Sequence, residues 1–481
     1  MSSQASPKTA PARLEATLDA ASFWLLVTIV ALAPLPLASN RPMPSAILTI
    51  ASGLCLALAC GAMLLRREAA PLPVPAALKI AIACFLLVGL WVLVQLATFL
   101  PGPLAHPLWH DAARILDRPD IPGRITLDAQ STWTTLSATA GYFAIAISAV
   151  LTVRDAGRAR QAARALCLSG GAYALYGLIM WSSGIEMVLW YPKIDYLGVV
   201  TSTFINRNSF ATYAGLVSLV AFGLVFAELY ELRHIGAASR LQRIARIGEM
   251  LIRRQWPVLV SLAFLLPALL FTLSRGGMAA FLVGASVLLL LLTQASLLPR
   301  AWRWRSVVIF LVSAVCAVVL FGQTFVERLS NEGVTDAYRR EAWSITLDGI
   351  KTSPLLGHGF GAFPEGFSLY RDDRLPSRRF WDKAHDTYLE LAFDLGLPAT
   401  AVLLAGFAAL AAQIWKGLSR RRRERRVLPA VGLAAMALAG THSLVDFSLQ
   451  IPADAALFAC LLGLAIAESG LWSRTRREPN A

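Results

Sequence analysis

Stretches of about 20 apolar residues, each closed by charged residues or by Pro and Gly, recur from one end of this chain to the other. That length is what a helix needs to cross the hydrocarbon core of a bilayer. Twelve such stretches lie near 22–38, 45–65, 78–100, 133–152, 166–183, 209–231, 256–273, 276–293, 306–322, 388–415, 428–447 and 453–470. Lipid offers no partner to a bare peptide group, so each stretch is expected to be a helix. The expected fold is an all-α polytopic membrane protein of about twelve spans. With 56% apolar and 15% charged residues and a mean hydropathy of +0.58, a water-soluble domain is excluded.

The net charge of +14 could point to nucleic acid, but its distribution argues otherwise. If the N-terminus is cytoplasmic, most of the 44 Lys and Arg fall in the segments on that side, and most of the 30 Asp and Glu fall on the other. This is the positive-inside pattern, which orients the chain without a nucleic-acid partner. The run Arg420 to Arg423 with Arg425 and Arg426 reads as an anchor at the anionic leaflet. Residues 1–21 are expected to form a retained cytoplasmic tail, 22–470 the transmembrane region and 471–481 a cytoplasmic C-terminal tail. Cys55, Cys60, Cys84, Cys167, Cys316 and Cys460 fall inside apolar stretches and read as small core hydrophobes, with no metal implied.

Two loops on the outer side exceed a plain connection, 101–132 and 323–387. The first is Pro-rich, offers no chemical constellation and reads as a solvated cap. The second enters a helix at about Asp336, carries Arg339 and Trp343 one turn apart, and passes the glycine-rich segment Gly357-His358-Gly359-Phe360-Gly361. A basic run through Arg371, Arg374, Arg378 and Arg379 follows, and the loop closes on His385-Asp386-Thr387-Tyr388.

Four polar features then share the outer face: Asn206-Arg207-Asn208, Arg275 in a tight turn beside glycines, Arg339 and His385. A lone terminal arginine can simply snorkel to the interface, and a lone histidine can simply start a helix. Arginines on the outer side oppose the topological bias, however, and together they suit a phosphate or pyrophosphate, which the guanidinium fork binds bidentately. A neutral imidazole beside them could accept a proton from a sugar hydroxyl, so the set fits metal-independent glycosyl transfer from a lipid pyrophosphate. His358 competes for the role but reads more naturally as part of a turn. His442 and Asp446, one turn apart, are second-tier candidates, and Arg340 lies beside Arg339.

The motifs, taken in order, resemble the O-antigen ligase and polymerase family of bacterial surface-polysaccharide assembly. Thr203 to Ala211 resembles its Asn-rich helix start and Thr272 to Gly277 its Ser-Arg-Gly segment. Arg339 to Trp343, Pro354 to Gly361 and His385 to Glu390 with Gly396-Leu397 resemble its large periplasmic loop and the helix after it. The likeness covers roughly 200–450. It implies a GT-C-like fold in the bacterial inner membrane, with an active site facing the periplasm. The implied reaction needs no cofactor and transfers an undecaprenyl-pyrophosphate-linked glycan to an acceptor sugar, either on a lipid A core or on a growing glycan. It assigns pyrophosphate binding to Arg207, Arg275 and Arg339 and assistance of the acceptor to His385. Asn206, Asn208, Arg340, Trp343, Asp386, Tyr388, His442 and Asp446 are supporting residues. Asp386 stands where the family often has Asn, and a carboxylate there could tune the histidine or cap the helix.

Ligase and polymerase are not separated by these motifs, and transfer of a lipid-linked oligosaccharide to protein is a third option. A twelve-helix transporter or flippase is the rival from another class. It would carry ionisable residues at the bilayer midplane, whereas here charge gathers at the outer ends.

Overall fold

In the computed structural model, residues 10–66, 74–99, 101–232, 239–298, 304–309, 311–313, 315, 334–376, 381–420 and 425–471 are described. Helices dominate, and the only strands among the described residues form a two-stranded hairpin, β1 (Met187–Val188) and β2 (Tyr191–Pro192). The long helices are α1 (Ala10–Leu32), α2 (Pro42–Leu64), α3 (Ala76–Leu96), α5 (Ala129–Thr152), α6 (Ala156–Ser182), α7 (Arg207–Leu232), α8 (Arg240–Phe271), α9 (Arg275–Gln294), α13 (Leu397–Arg420), α14 (Val427–His442) and α15 (Pro452–Ile466). The remaining helices are α4 (Pro107–Ile115), α10 (Val334–Thr352), α11 (Phe363–Tyr370) and α12 (Thr387–Leu395). Among the described residues ten helices are long and apolar enough to cross a membrane, and α14 is a shorter apolar helix.

Burial sorts these helices into centre and rim. In α15, 94% of the apolar window is buried, and in α7, 78%, against 22% in α3. The exposed Ile80, Leu86, Leu87, Leu90 and Leu93 of α3 therefore form an apolar belt that suits lipid rather than water. Small residues allow the central contacts. A Cβ on Gly277 would stand 2.5 Å from that of Ala211, so α9 meets α7 at close range.

Three expectations change, and part of another, given third, lies outside the described residues. First, α1 begins at Ala10, so half of the expected tail is helical, and its acidic residues are used: Glu15 pairs with Arg66 at 2.6 Å, and Asp19 with Arg154 at 2.9 Å and Arg158 at 2.6 Å. The helix stops at Leu32 because Pro34 and Pro36 cannot continue it. Second, the tenth apolar stretch is two helices. Gly396, at φ 79°, breaks it between α12 and α13 and leaves α12 among the loop elements. Third, of the ninth stretch residues 316–322 lie outside the described residues, as do Cys316, Arg378, Arg379 and Arg421 to Arg423, and the side chain of Asp336. Fourth, the 101–132 loop is a docked layer rather than a free cap. Its Leu127 N–H donates to the His358 carbonyl at 2.9 Å, its Thr126 N–H donates to the Gln95 carbonyl at 3.1 Å, and its Trp109 indole caps the Thr126 carbonyl.

The second long loop has its own core, in which α10, α11 and α12 enclose Ala342, Ile345, Phe363, Phe367, Ala384 and Phe393. His358 is buried in that packing at 1% exposure, 3.0 Å from the Gly349 carbonyl through Nε2, with its ring tilted against Phe393 at 4.3 Å between centres. It holds structure together there. Arg374 is likewise occupied, by Asp348 and Asp372 at 2.9 Å each. The loop core is fastened to the bundle through Gln95. This fully buried amide donates to the carbonyls of Leu356 and Asp394 and accepts the N–H of Phe360. Gly359 passes beside it at φ 112°, where an added Cβ would collide with Thr126.

Candidate functional site

Three helices begin at one point of the structure, and their first turns explain how. Asn206 caps α7, its side-chain oxygen accepting the Asn208 N–H at 2.7 Å. Ser274 caps α9, its hydroxyl accepting the Gly277 N–H at 3.1 Å. Asp386 caps α12, accepting from Tyr388 N–H at 2.9 Å and Leu389 N–H at 3.0 Å. Asx and Ser residues at these positions satisfy donors that a helix start otherwise leaves bare.

Asp446 joins the three starts. One of its carboxylate oxygens accepts from the Asn208 side-chain amide N–H at 2.9 Å, while the Asn208 side-chain amide oxygen accepts the Ser274 hydroxyl at 2.8 Å. The other carboxylate oxygen accepts the Ser448 hydroxyl. Its backbone carbonyl accepts the Thr387 hydroxyl at 2.8 Å, and the Thr387 N–H reaches the Ser443 carbonyl at the same distance. Asp446 is fully buried. The positive ends of α7, α9 and α12 are thus held together by one acidic hub, with N–H groups and dipoles favouring an anion.

Around this hub stand the cations. Arg207 opens α7 and lies 5.7 Å from the ring centre of Tyr196, a stacking that fixes the guanidinium. Arg275 opens α9 and is exposed, one residue past Ser274. Arg339 on α10 is within electrostatic reach of both Tyr196 and His385. Burial pushes the Tyr196 phenol upward, reinforced by Asp446 and countered by Arg339 and Arg207.

His385 completes the set. Its ring stands between the edges of Trp381 and Phe447, at 5.6 and 5.0 Å between centres. Burial first, then Arg339, lowers its pKa to about 4 against the opposing pull of Asp446. The imidazole is therefore neutral at neutral pH.

The supporting residues divide. Asn206 and Asn208 belong to the hub, and Trp343 reaches the loop of His385 by donating its indole N–H to the Ala384 carbonyl at 2.9 Å. His442 lies one layer deeper, its Nδ1 sharing a hydrogen bond with the Thr212 hydroxyl at 2.6 Å. Gly276 lets it come near, since a Cβ there would stand 3.2 Å from His442 Nε2. Tyr388 ties α12 to α14 through the Gly440 carbonyl at 2.9 Å. Arg340 is exposed on α10. Asp386 acts on backbone N–H groups, so capping is the role its geometry supports.

Sequence reasoning missed Tyr196, Glu390 and Asp454, the last fully buried in the first turn of α15 within electrostatic reach of Asp446. An acidic residue inside an apolar stretch is a usable signal for Asp454 and for Glu390, which lies within 388–415, whereas Tyr196 carries none without the fold.

Residues 260–404 match the family model described as O-antigen ligase. The matched segment contains Arg275, Arg339 and His385, while Arg207 and Asp446 lie outside it. The comparison with curated proteins finds no match.

Proposed function

Starting from an O-antigen ligase segment across residues 260–404 of a polytopic helical membrane protein, we propose that the chain is a periplasm-facing glycosyltransferase. It moves a glycan from undecaprenyl pyrophosphate to an acceptor sugar, a lipid A core or a growing glycan. In this reading the chain crosses the inner membrane twelve times in a GT-C-like arrangement, with both termini cytoplasmic and the loop after the ninth crossing in the periplasm.

One observation supports the proposal: the starts of α7, α9 and α12 are joined through Asp446, Arg207 and Arg275 open two of them, and Arg339 lies within electrostatic reach of His385, which precedes the third and which burial holds neutral. The pyrophosphate would sit among Arg207, Arg275 and Arg339, each offering a planar fork that matches phosphate oxygens. Its lipid tail would follow the apolar helix surfaces into the bilayer. The acceptor hydroxyl oxygen attacks the anomeric carbon as the bond from that carbon to the pyrophosphate oxygen breaks. The hydroxyl proton passes to His385, and undecaprenyl pyrophosphate leaves with its negative charge stabilised by the arginines and helix dipoles. Lipid-proximal placement explains why such a site is built on membrane helices.

The surface-glycan profile of a strain lacking the gene tests this reading. Long-chain glycan attached to its acceptor should vanish and return with the wild-type gene, but not with the Arg207→Ala, Arg275→Ala, Arg339→Ala triple variant expressed at equal level. An unchanged profile on deletion, or full rescue by the triple variant, contradicts it.

A further inference from the structure

The His385 ring has an orientation problem that its own side chain does not solve. Its Nδ1 is buried and has no hydrogen-bond partner among the described residues. Histidines that act as bases are commonly aimed through the second ring nitrogen by a carboxylate or carbonyl. Here the backbone is what is held. His385 adopts φ 55°, a left-handed conformation that a residue with a Cβ keeps only when its neighbours impose it.

Those neighbours can be named. Before His385, the Ala384 N–H donates to a Glu390 carboxylate oxygen at 2.9 Å, and the Ala384 carbonyl accepts the Trp343 indole N–H at 2.9 Å. Ala384 is fully buried, and Glu390 is 4% exposed, so neither bond competes with water. After His385, Thr387 is tied to Ser443 and Asp446 as described above. The other Glu390 oxygen lies 3.4 Å from Lys383 Nζ, which offsets the buried charge. Burial pulls the Lys383 ammonium down, but Glu390, Asp394 and Asp382 outweigh it and hold it charged. Glu390 lies in the first turn of α12, so the helix that ends the loop also reaches back to fix the peptide ahead of the histidine.

We infer that Glu390 is a positioning residue for His385, working with Trp343 as a clamp on the Ala384 peptide. The inference rests on His385 being the base of the proposed transfer. Glu390 touches neither donor nor acceptor in this account. It sets where the imidazole stands, and a displaced base slows the proton transfer without weakening donor binding, because the arginines sit on other elements.

The test is steady-state kinetics of purified protein in lipid nanodiscs, using the lipid-linked glycan and acceptor. The variants are Glu390→Ala, Glu390→Gln, Trp343→Phe, His385→Ala and the His385→Ala, Glu390→Ala double, each checked for folding by thermal denaturation. Glu390→Ala should lower kcat by about ten- to a hundredfold with donor KM unchanged. Glu390→Gln, whose amide oxygen still accepts the Ala384 N–H, should keep most of kcat. Trp343→Phe, which removes the indole N–H that bonds the Ala384 carbonyl, should lie between them. In the His385→Ala background the loss of Glu390 should add nothing, since a residue acting through His385 has nothing left to aim. Wild-type kcat in Glu390→Ala, or an equal fold loss in both backgrounds, overturns the clamp. Full activity in His385→Ala instead overturns the base itself, so the two failures are distinct.

Discussion

At the residue scale, opposing influences meet at the His385 imidazole. Burial and Arg339 disfavour its proton, Asp446 favours it, and the balance falls at about 4 rather than the ordinary 6.5. A base must be unprotonated to work, so kcat/KM should stay flat as pH falls from neutral through 6.5 and drop only toward about pH 4. A pH profile of the transfer reaction checks this, and a midpoint near 6.5 would place the histidine in solvent rather than behind Trp381 and Phe447. The stability linkage has the same sign. A folded pKa below the unfolded one contributes stability present above about 6.5 and lost as pH falls toward about 4. For the cations, Arg275→Ala should cost about 10²- to 10³-fold in kcat/KM, comparable to removing one preorganised donor. Arg275→Lys should recover only part, because it restores the charge without the fork. Arg207, Arg275, Arg339 and His385 could be singled out as polar residues beside apolar stretches or in the long loop, and the structure sets Arg207 and Arg275 at helix starts joined by the hub. The hub was not, because Asp446 acts through Asn208, Ser274 and Thr387 from three distant parts of the chain, a relation no local pattern carries.

At the element scale, apolar length marked helices well and their breaks poorly. The stretch 388–415 reads as one span, yet the left-handed turn at Gly396 frees α12 to present its capped start, with His385 before it, to the hub. The glycine-rich segment reads as a turn, and only the fold shows that it threads between Gln95, Thr126 and Asp394. Gly359→Ala should therefore destabilise the protein by about 1–3 kcal/mol, through a left-handed φ and a collision with Thr126. Gly89→Ala should be neutral or slightly stabilising, since a Cβ on that helical glycine meets nothing within 4 Å. Thermal denaturation of the two variants in one detergent makes the comparison.

At the scale of the whole molecule, the two ends of the bundle have different characters. One end carries plain ion pairs, Glu15 with Arg66, Asp19 with Arg154 and Arg158, and Glu228 with Arg254. The other gathers helix starts, arginines and the loop core around Asp446. Sequence charge counting predicts that the first is cytoplasmic. A membrane-impermeant thiol reagent applied to intact spheroplasts should then label Arg340→Cys and spare Arg243→Cys, and the reverse pattern would invert the topology. The central claim is that the hub end transfers a glycan from a lipid pyrophosphate with His385 as base. Its most direct measurement is a proteoliposome reaction that counts released undecaprenyl pyrophosphate and newly glycosylated acceptor together. Equal amounts of both from the wild-type protein, and both formed about 10²- to 10⁴-fold more slowly by His385→Ala that still binds the donor, are the predicted result; full product formation by His385→Ala, or lipid pyrophosphate release without acceptor glycosylation, would contradict it.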